Sequence, residues 1–110
     1  MAGLNEQSHA VIQLAEDEWG NVTARISGEL DIVTAGQLSG RVDELLTRTP
    51  SRLDLDLSGL AFTDSSGLAL LLRLANHHGP LRVFGASLLI RRVIEATGLT
   101  AILLLQGTAP

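Results

Sequence analysis

The sequence predicts a single α/β domain: a mixed sheet of about five strands in the order β-β-α-β-α-β-α-β, with its helices on one face. Apolar residues alternate at the start of the chain and then switch to a helical period. Short strand-like runs separate the helical segments, which is how parallel neighbours joined by crossovers read. Leu53, Leu55 and Leu57 alternate with Asp54 and Asp56, so that strand has one covered face and one wet face.

Each element has its own signal. Ala10, Ile12 and Leu14 fall on one side of a first strand, with Val11 and Gln13 on the other. Glu16-Asp17-Glu18-Trp19-Gly20-Asn21 reads as a hairpin loop, with the Trp19 indole expected to fold back on the sheet edge. Val22, Ala24 and Ile26 continue an antiparallel partner strand, which Gly28-Glu29-Leu30-Asp31 ends. Thr34 and Gln37 match a capping box, and Leu38, Val42, Leu45 and Leu46 form the apolar stripe of a first helix that Pro50 stops. After the Leu53–Leu57 strand, a second helix is expected from about Ser65 to His77, closed by Gly79-Pro80. Leu81, Val83 and Phe84 give a short strand. Ser87 caps a third helix whose Leu89, Ile90, Val93 and Ile94 are expected to face inward. Gly98 stands at the position after its end, with Leu99 as the apolar contact. Ala101–Leu105 is expected as the last strand. The domain is thus read over residues 9–105, with 1–8 and 106–110 as flexible termini.

Composition removes several classes of function. The 110 residues suit one domain, and 45% hydrophobic with 18% charged residues is a globular composition. No apolar run approaches the roughly 18 residues needed to span a bilayer, and no basic-then-apolar leader is visible. A cytoplasmic protein with no membrane role is expected. Cysteine is absent, which excludes disulfides and thiol chemistry. The net charge of −4 and the scattered arginines argue against nucleic acid.

The informative segment is Leu60-Ala61-Phe62-Thr63-Asp64-Ser65-Ser66-Gly67-Leu68. It sets two hydroxyls beside a carboxylate where the second helix begins, and helix starts favour negative charge. Asp64 and Ser65 are both good cap residues, so these side chains could serve the helix alone. Gly67 is costly in a first turn unless something must approach closely. The sharper reading is a phosphorylation switch, because a phosphoserine adds about −1.5 to −2 charges and three acceptor oxygens. Placed beside Asp64 and near Asp31, it would repel a docking partner while leaving the fold intact.

Gly28-Glu29-Leu30-Asp31, Phe62-Thr63-Asp64-Ser65-Ser66-Gly67-Leu68, Phe84-Gly85-Ala86-Ser87 and Ala96-Thr97-Gly98-Leu99 stand in the order and spacing of the STAS domain. The chain most resembles bacterial anti-sigma factor antagonists, over about residues 9–105. The resemblance implies that an anti-sigma factor serine kinase of the GHKL type phosphorylates Ser65, with Ser66 the alternative. It implies that the unphosphorylated form binds that kinase and frees a sigma factor of a stress response, and that a PP2C-type phosphatase restores it. It implies a docking face of Asp31, Phe62, Thr63, Asp64, Ser65, Ser66, Gly67, Leu68 and Ser87. ATP and Mg²⁺ would belong to the kinase, and this chain would need no cofactor or metal. Whether it forms a homodimer is left open. Many STAS domains carry a further helix after the last strand, whereas this sequence ends at Pro110, so the sheet is expected to be less covered.

Other readings fit less well. Asp54 and Asp56 resemble the acidic pocket of response-regulator receivers, but that chemistry needs a lysine and every basic residue here is arginine. A hydrolase using Ser65 would need a Gly-x-Ser-x-Gly elbow, which Thr63-Asp64 does not supply. His77 and His78 point apart on a helix and lack a third metal ligand. The remaining rivals are interaction-only STAS proteins: an accessory subunit of a lipid-transport ABC system, or a scaffold subunit of a stress-signalling assembly.

Overall fold

A computed structural model describes residues 9–108; of the termini expected to be flexible, 1–8 and 106–110, residues 1–8 and 109–110 lie outside them, while Gln106 and Gly107 make backbone hydrogen bonds to Val83 and Gly85. The chain runs β1 (Ala10–Glu16), β2 (Asn21–Leu30), α1 (Ile32–Arg48), β3 (Arg52–Asp56), β4 (Leu60–Thr63), α2 (Ser65–His78), β5 (Leu81–Phe84), α3 (Leu88–Ala96) and β6 (Leu103–Leu105). The sheet has six strands in the order β1-β2-β3-β5-β6, with β4 paired to β2 off that path. Only β1 is antiparallel, against β2; the other pairings are parallel.

The strand absent from the sequence reading is β4, and its origin is local. Register along β2 joins Arg25 to Asp56 of β3 and then Gly28 to Leu60 of β4. One strand line is thus broken between Asp56 and Leu60, where Asp56 Oδ1 accepts from the Ser58 amide at 2.9 Å and the chain turns. The Gly59 carbonyl accepts from the Gly28 amide at 2.9 Å and carries the pairing across the break. Ser58-Gly59 is turn chemistry, so the sequence shows an end there and not a resumption. The kink carries the strand line past β3 and delivers Thr63 alongside Leu30.

Helix α1 begins earlier than the predicted Thr34–Gln37 box. Asp31 is its N-cap: Oδ1 accepts from the Val33 amide at 3.0 Å and the Thr34 amide at 2.9 Å, while the Thr34 hydroxyl accepts from the Asp31 amide at 2.9 Å. Thr34 therefore closes the box instead of opening it. The stripe is as predicted, with Leu38, Val42 and Leu45 buried and Leu46 partly so. Arg73 ties α1 to α2 by ion-pairing Asp43 and donating to Ser39 Oγ at 2.9 Å.

The last helix and strand show one further shift. The Gly98 amide donates to Glu95 and the Leu99 amide to Ile94, both at 3.1 Å, with Gly98 at φ +74°. This two-bond closure with a left-handed glycine draws the following residues into a turn, so β6 starts at Leu103 and not at Ala101. Backbone pairing with β5 then runs past Leu105, through Gln106 N to Val83 O and Gly85 N to Gly107 O, both 2.8 Å.

The helices cover the face of the sheet that carries Ala24, Ile26, Leu53, Leu55, Leu81 and Val83, all buried. On the other face Arg25 is exposed and Asp56 partly so. Asp54 departs from the expectation of a wet aspartate: it is buried beneath Arg82, which meets it with a fork of 3.0 and 2.7 Å while stacking 5.1 Å over Phe84. Trp19 also departs from expectation. It stands 72% exposed instead of folding back on the sheet edge. No described helix is long and apolar enough to cross a membrane.

Candidate functional site

Parallel strands put all their C-terminal ends at one edge of the sheet, and each helix starts there. Asp31 follows β2, Asp64 follows β4 and Ser87 follows β5, so three helix N-termini share one end of the molecule. Pairing of Leu30 with Thr63, and the Asp64 amide donating to Leu30 O at 3.0 Å, set the starts of α1 and α2 side by side. Helix α3 packs against β4 and brings Ser87 to the same end.

The Asp64 side chain organises the start of α2. Its Oδ1 accepts from the Ser66 amide at 2.8 Å and the Gly67 amide at 3.3 Å. Two of the otherwise unpaired N–H groups of the first turn are thereby satisfied by a carboxylate that is part of the chain. Ser65 is the first helical residue and is exposed, whereas Ser66 is partly buried. The more accessible of the two hydroxyls is thus the one beside the capping carboxylate.

Gly67 is buried against the chain itself. A Cβ there would collide with the Thr63 hydroxyl and the Leu30 side chain. Burial of Leu71 and Leu74 on α2, each worth about 1.5–3 kcal/mol, outweighs the ~1 kcal/mol that a glycine costs a helix. Thr63 and Leu68 are buried as well, and support the surface from beneath. Of the residues singled out in the sequence, the solvent-facing ones are Phe62, Ser65 and Ser87, with Asp31, Asp64 and Ser66 at intermediate exposure.

The structure adds residues that the sequence reading passed over. Ile32 is 75% exposed and Val33 is exposed beside it, in the first turn of α1. Leu88 is 63% exposed, and Leu89, expected to face inward, is exposed next to it in the first turn of α3. The buried stripe of α3 runs through Ile90 and Ile94, which places the first turn beyond the sheet end with nothing to cover. The sequence offers one local hint, that Ile32-Val33 directly follows a cap residue and so does Leu88-Leu89, and that hint does not by itself separate a rim from a core. With Phe62 these side chains make an apolar rim at the end of the molecule that carries Ser65. Exposed apolar groups gathered at one place on a small domain mark an interaction surface. Among the described residues no group of three or more His, Asp or Glu could hold a metal ion.

A family model described as "Mlab, STAS domain" matches residues 8–106. Among curated proteins, the anti-sigma-F factor antagonist RsfB of Mycobacterium tuberculosis is 33% identical over 86 residues, spanning 76% of this chain and 70% of that protein. Among solved structures, an anti-sigma factor antagonist from Mycobacterium paratuberculosis superposes with a TM-score of 0.78 at 27% identity, covering 88% of this chain and 85% of that one. The Bacillus cell fate determinant SpoIIAA in its phosphorylated form superposes with a TM-score of 0.69 at 22% identity, covering 90% and 92%, a likeness of fold.

Proposed function

The chain belongs to the STAS domain family, and on that premise we propose that it is a cytoplasmic anti-sigma factor antagonist, a binding module and not an enzyme. In its unmodified form it docks on an anti-sigma factor serine kinase of the GHKL type and releases the sigma factor. Phosphorylation of Ser65 by that kinase ends the interaction, and a PP2C-type phosphatase restores it. ATP and Mg²⁺ act on the kinase.

One observation carries this reading: an exposed Ser65 hydroxyl at the head of α2, bordered by the apolar rim of Ile32, Val33, Phe62, Leu88 and Leu89. A phosphate on Ser65 would find the Ser66 and Gly67 amides already taken by Asp64. Its charge of about −1.5 to −2 would therefore remain at the surface, beside a carboxylate. A partner that covers the apolar rim would have to bury that charge, and the penalty for an uncompensated ion is several kcal/mol. At 1.4 kcal/mol per tenfold, this abolishes binding in practice. The fold is untouched, because nothing in the core changes.

Incubation with the cognate kinase and ATP is expected to add one phosphate to the wild-type chain and to Ser66→Ala, and none to Ser65→Ala. Unchanged labelling of Ser65→Ala would move the acceptor and overturn the assignment. Stable capture on a transporter ATPase, without affinity for any anti-sigma kinase, would overturn the proposal in favour of an accessory transport subunit.

A further inference from the structure

The caps of α2 and α3 differ in what they leave open. At α3 the cap is a neutral hydroxyl, and Ser87 Oγ accepts from the Ile90 amide alone, at 3.3 Å. At α2 the cap is a carboxylate, and Asp64 Oδ1 accepts from the Ser66 amide at 2.8 Å and the Gly67 amide at 3.3 Å. The Leu68 amide donates to Asp64 O at 3.0 Å. Asp64 thus holds three consecutive amides of the turn on which Ser65 sits. It is itself held from beneath, because its carbonyl also accepts from the buried Thr63 hydroxyl at 3.1 Å. Amides at a helix start draw anions when they are unpaired. Here a carboxylate of the chain already stands where a phosphate on the first helical residue would settle.

The surroundings offer that phosphate no countercharge. The first three residues of α1, α2 and α3 are all uncharged. Glu29 and Asp31, where β2 passes into α1, add two further carboxylates at this end. Arg91 and Arg92 come next on α3, and Arg91 Nη1 is turned to Gln106 O at 3.0 Å.

We propose that Asp64 is the positioning residue of the switch: by holding the Ser66 and Gly67 amides it keeps a phosphate on Ser65 unseated and facing solvent. The proposal rests on Ser65 as the acceptor and explains why the group is both repellent and removable. An unseated phosphate keeps its charge at the rim that a partner must cover. It also leaves phosphorus open to water in the active site of a phosphatase. There the water oxygen bonds to phosphorus, the P–Oγ bond breaks, Ser65 Oγ regains a proton and inorganic phosphate leaves. Without the carboxylate, the phosphate would fold onto the freed amides and both properties would diminish.

The full chain made with phosphoserine at position 65 tests this without any kinase. Phosphorus and amide NMR follow it through the second ionisation of the phosphate, which lies near about 6 in an unstructured chain. In the wild type the midpoint is expected roughly half a unit above that of the same chain in urea, with the Ser66 and Gly67 amides indifferent to it. Asp64→Asn keeps an acceptor for both amides but loses the charge, and is expected to return the midpoint to the unfolded value. Asp64→Gly is expected to bring it below that value, with both amides now following the phosphate. A broad-specificity alkaline phosphatase is expected to clear the wild type and Asp64→Asn at similar rates, and Asp64→Gly several-fold more slowly. Thermal melts establish that each variant is folded, and Asp64→Asn, which keeps the cap, decides the matter if Asp64→Gly is not. A wild-type midpoint at or below the unfolded value would overturn the proposal. So would wild-type Ser66 and Gly67 amides that follow the phosphate, an Asp64→Asn midpoint no lower than the wild type's, or a folded Asp64→Gly that matches the wild type. If the midpoints fall in the expected order while the kinase binds both forms of the wild type alike, the seating stands and the switch reading fails.

Discussion

Gly67 and Ser65 lie two positions apart in the first turn of α2 and do opposite things. Gly67 faces in, and a methyl group at its Cα would meet the Thr63 hydroxyl and the Leu30 side chain. In an unobstructed helix, glycine to alanine gains about 1 kcal/mol. Here overpacking reverses the sign, and Gly67→Ala is expected to destabilise the domain by roughly 1–3 kcal/mol. A lowered urea midpoint at unchanged slope checks this. The sequence suggested that Gly67 answers to a close approach, of another backbone or of a partner surface, and the family resemblance put it on the docking face. Only the pairing of Leu30 with Thr63 decides for the interior, and those strands are distant in sequence. The sequence put Ser65 ahead of Ser66 through the family resemblance alone; exposure also separates them, because Ser66 turns partly beneath the surface.

At the scale of elements, the tip of the β1–β2 hairpin is organised by the Asp17 carboxylate, which accepts from the Trp19 and Asn21 amides and from Asn21 Nδ2. Hydrogen bonding from the Asn21 side chain, with help from the Asn21 and Trp19 amides and the charge of Arg52, holds the Asp17 carboxyl below its ordinary value of 3.8. A depressed acid contributes stability that is fully present above its unfolded value and is lost as pH falls through the folded one. The order of the tip is therefore expected to persist at neutral pH and to fade below about pH 4. Trp19 emission during acid titration reads this directly, and Asp17→Ala should abolish the transition at that pH. Hairpin, helices and the β5 strand were legible because their periods and caps are local. Helix α1 starts at Ile32 because Asp31 caps it, with Thr34 closing the box. The choice between Asp31 and Thr34 as cap is a tertiary matter: the Thr34 hydroxyl donates to Glu29 O at 2.7 Å and is fully buried there. Strand β4 was illegible for a similar reason, since its existence depends on β2 being long enough to pair twice.

The whole molecule has two ends with different chemistry. Parallel strands bring three helix starts, two capping aspartates, an exposed serine and an apolar rim to one end. The other end holds the Trp19 tip and a cavity lined by His77 and His78. The motif around Ser65 was readable in the sequence, but the rim was not, because Ile32, Val33, Leu88 and Leu89 look like core residues until the sheet ends beneath them. Ser65 itself stands exposed above the buried Gly67 and Leu68, so a phosphate on it is expected to leave the fold alone. The direct test is calorimetric binding of the anti-sigma factor kinase by the chain before and after stoichiometric phosphorylation, with thermal melts of both forms. The account predicts matching melts and an affinity that falls at least about a hundredfold, some 2.8 kcal/mol. Equal affinity in the two forms, or an affinity lost together with the melt, would contradict it.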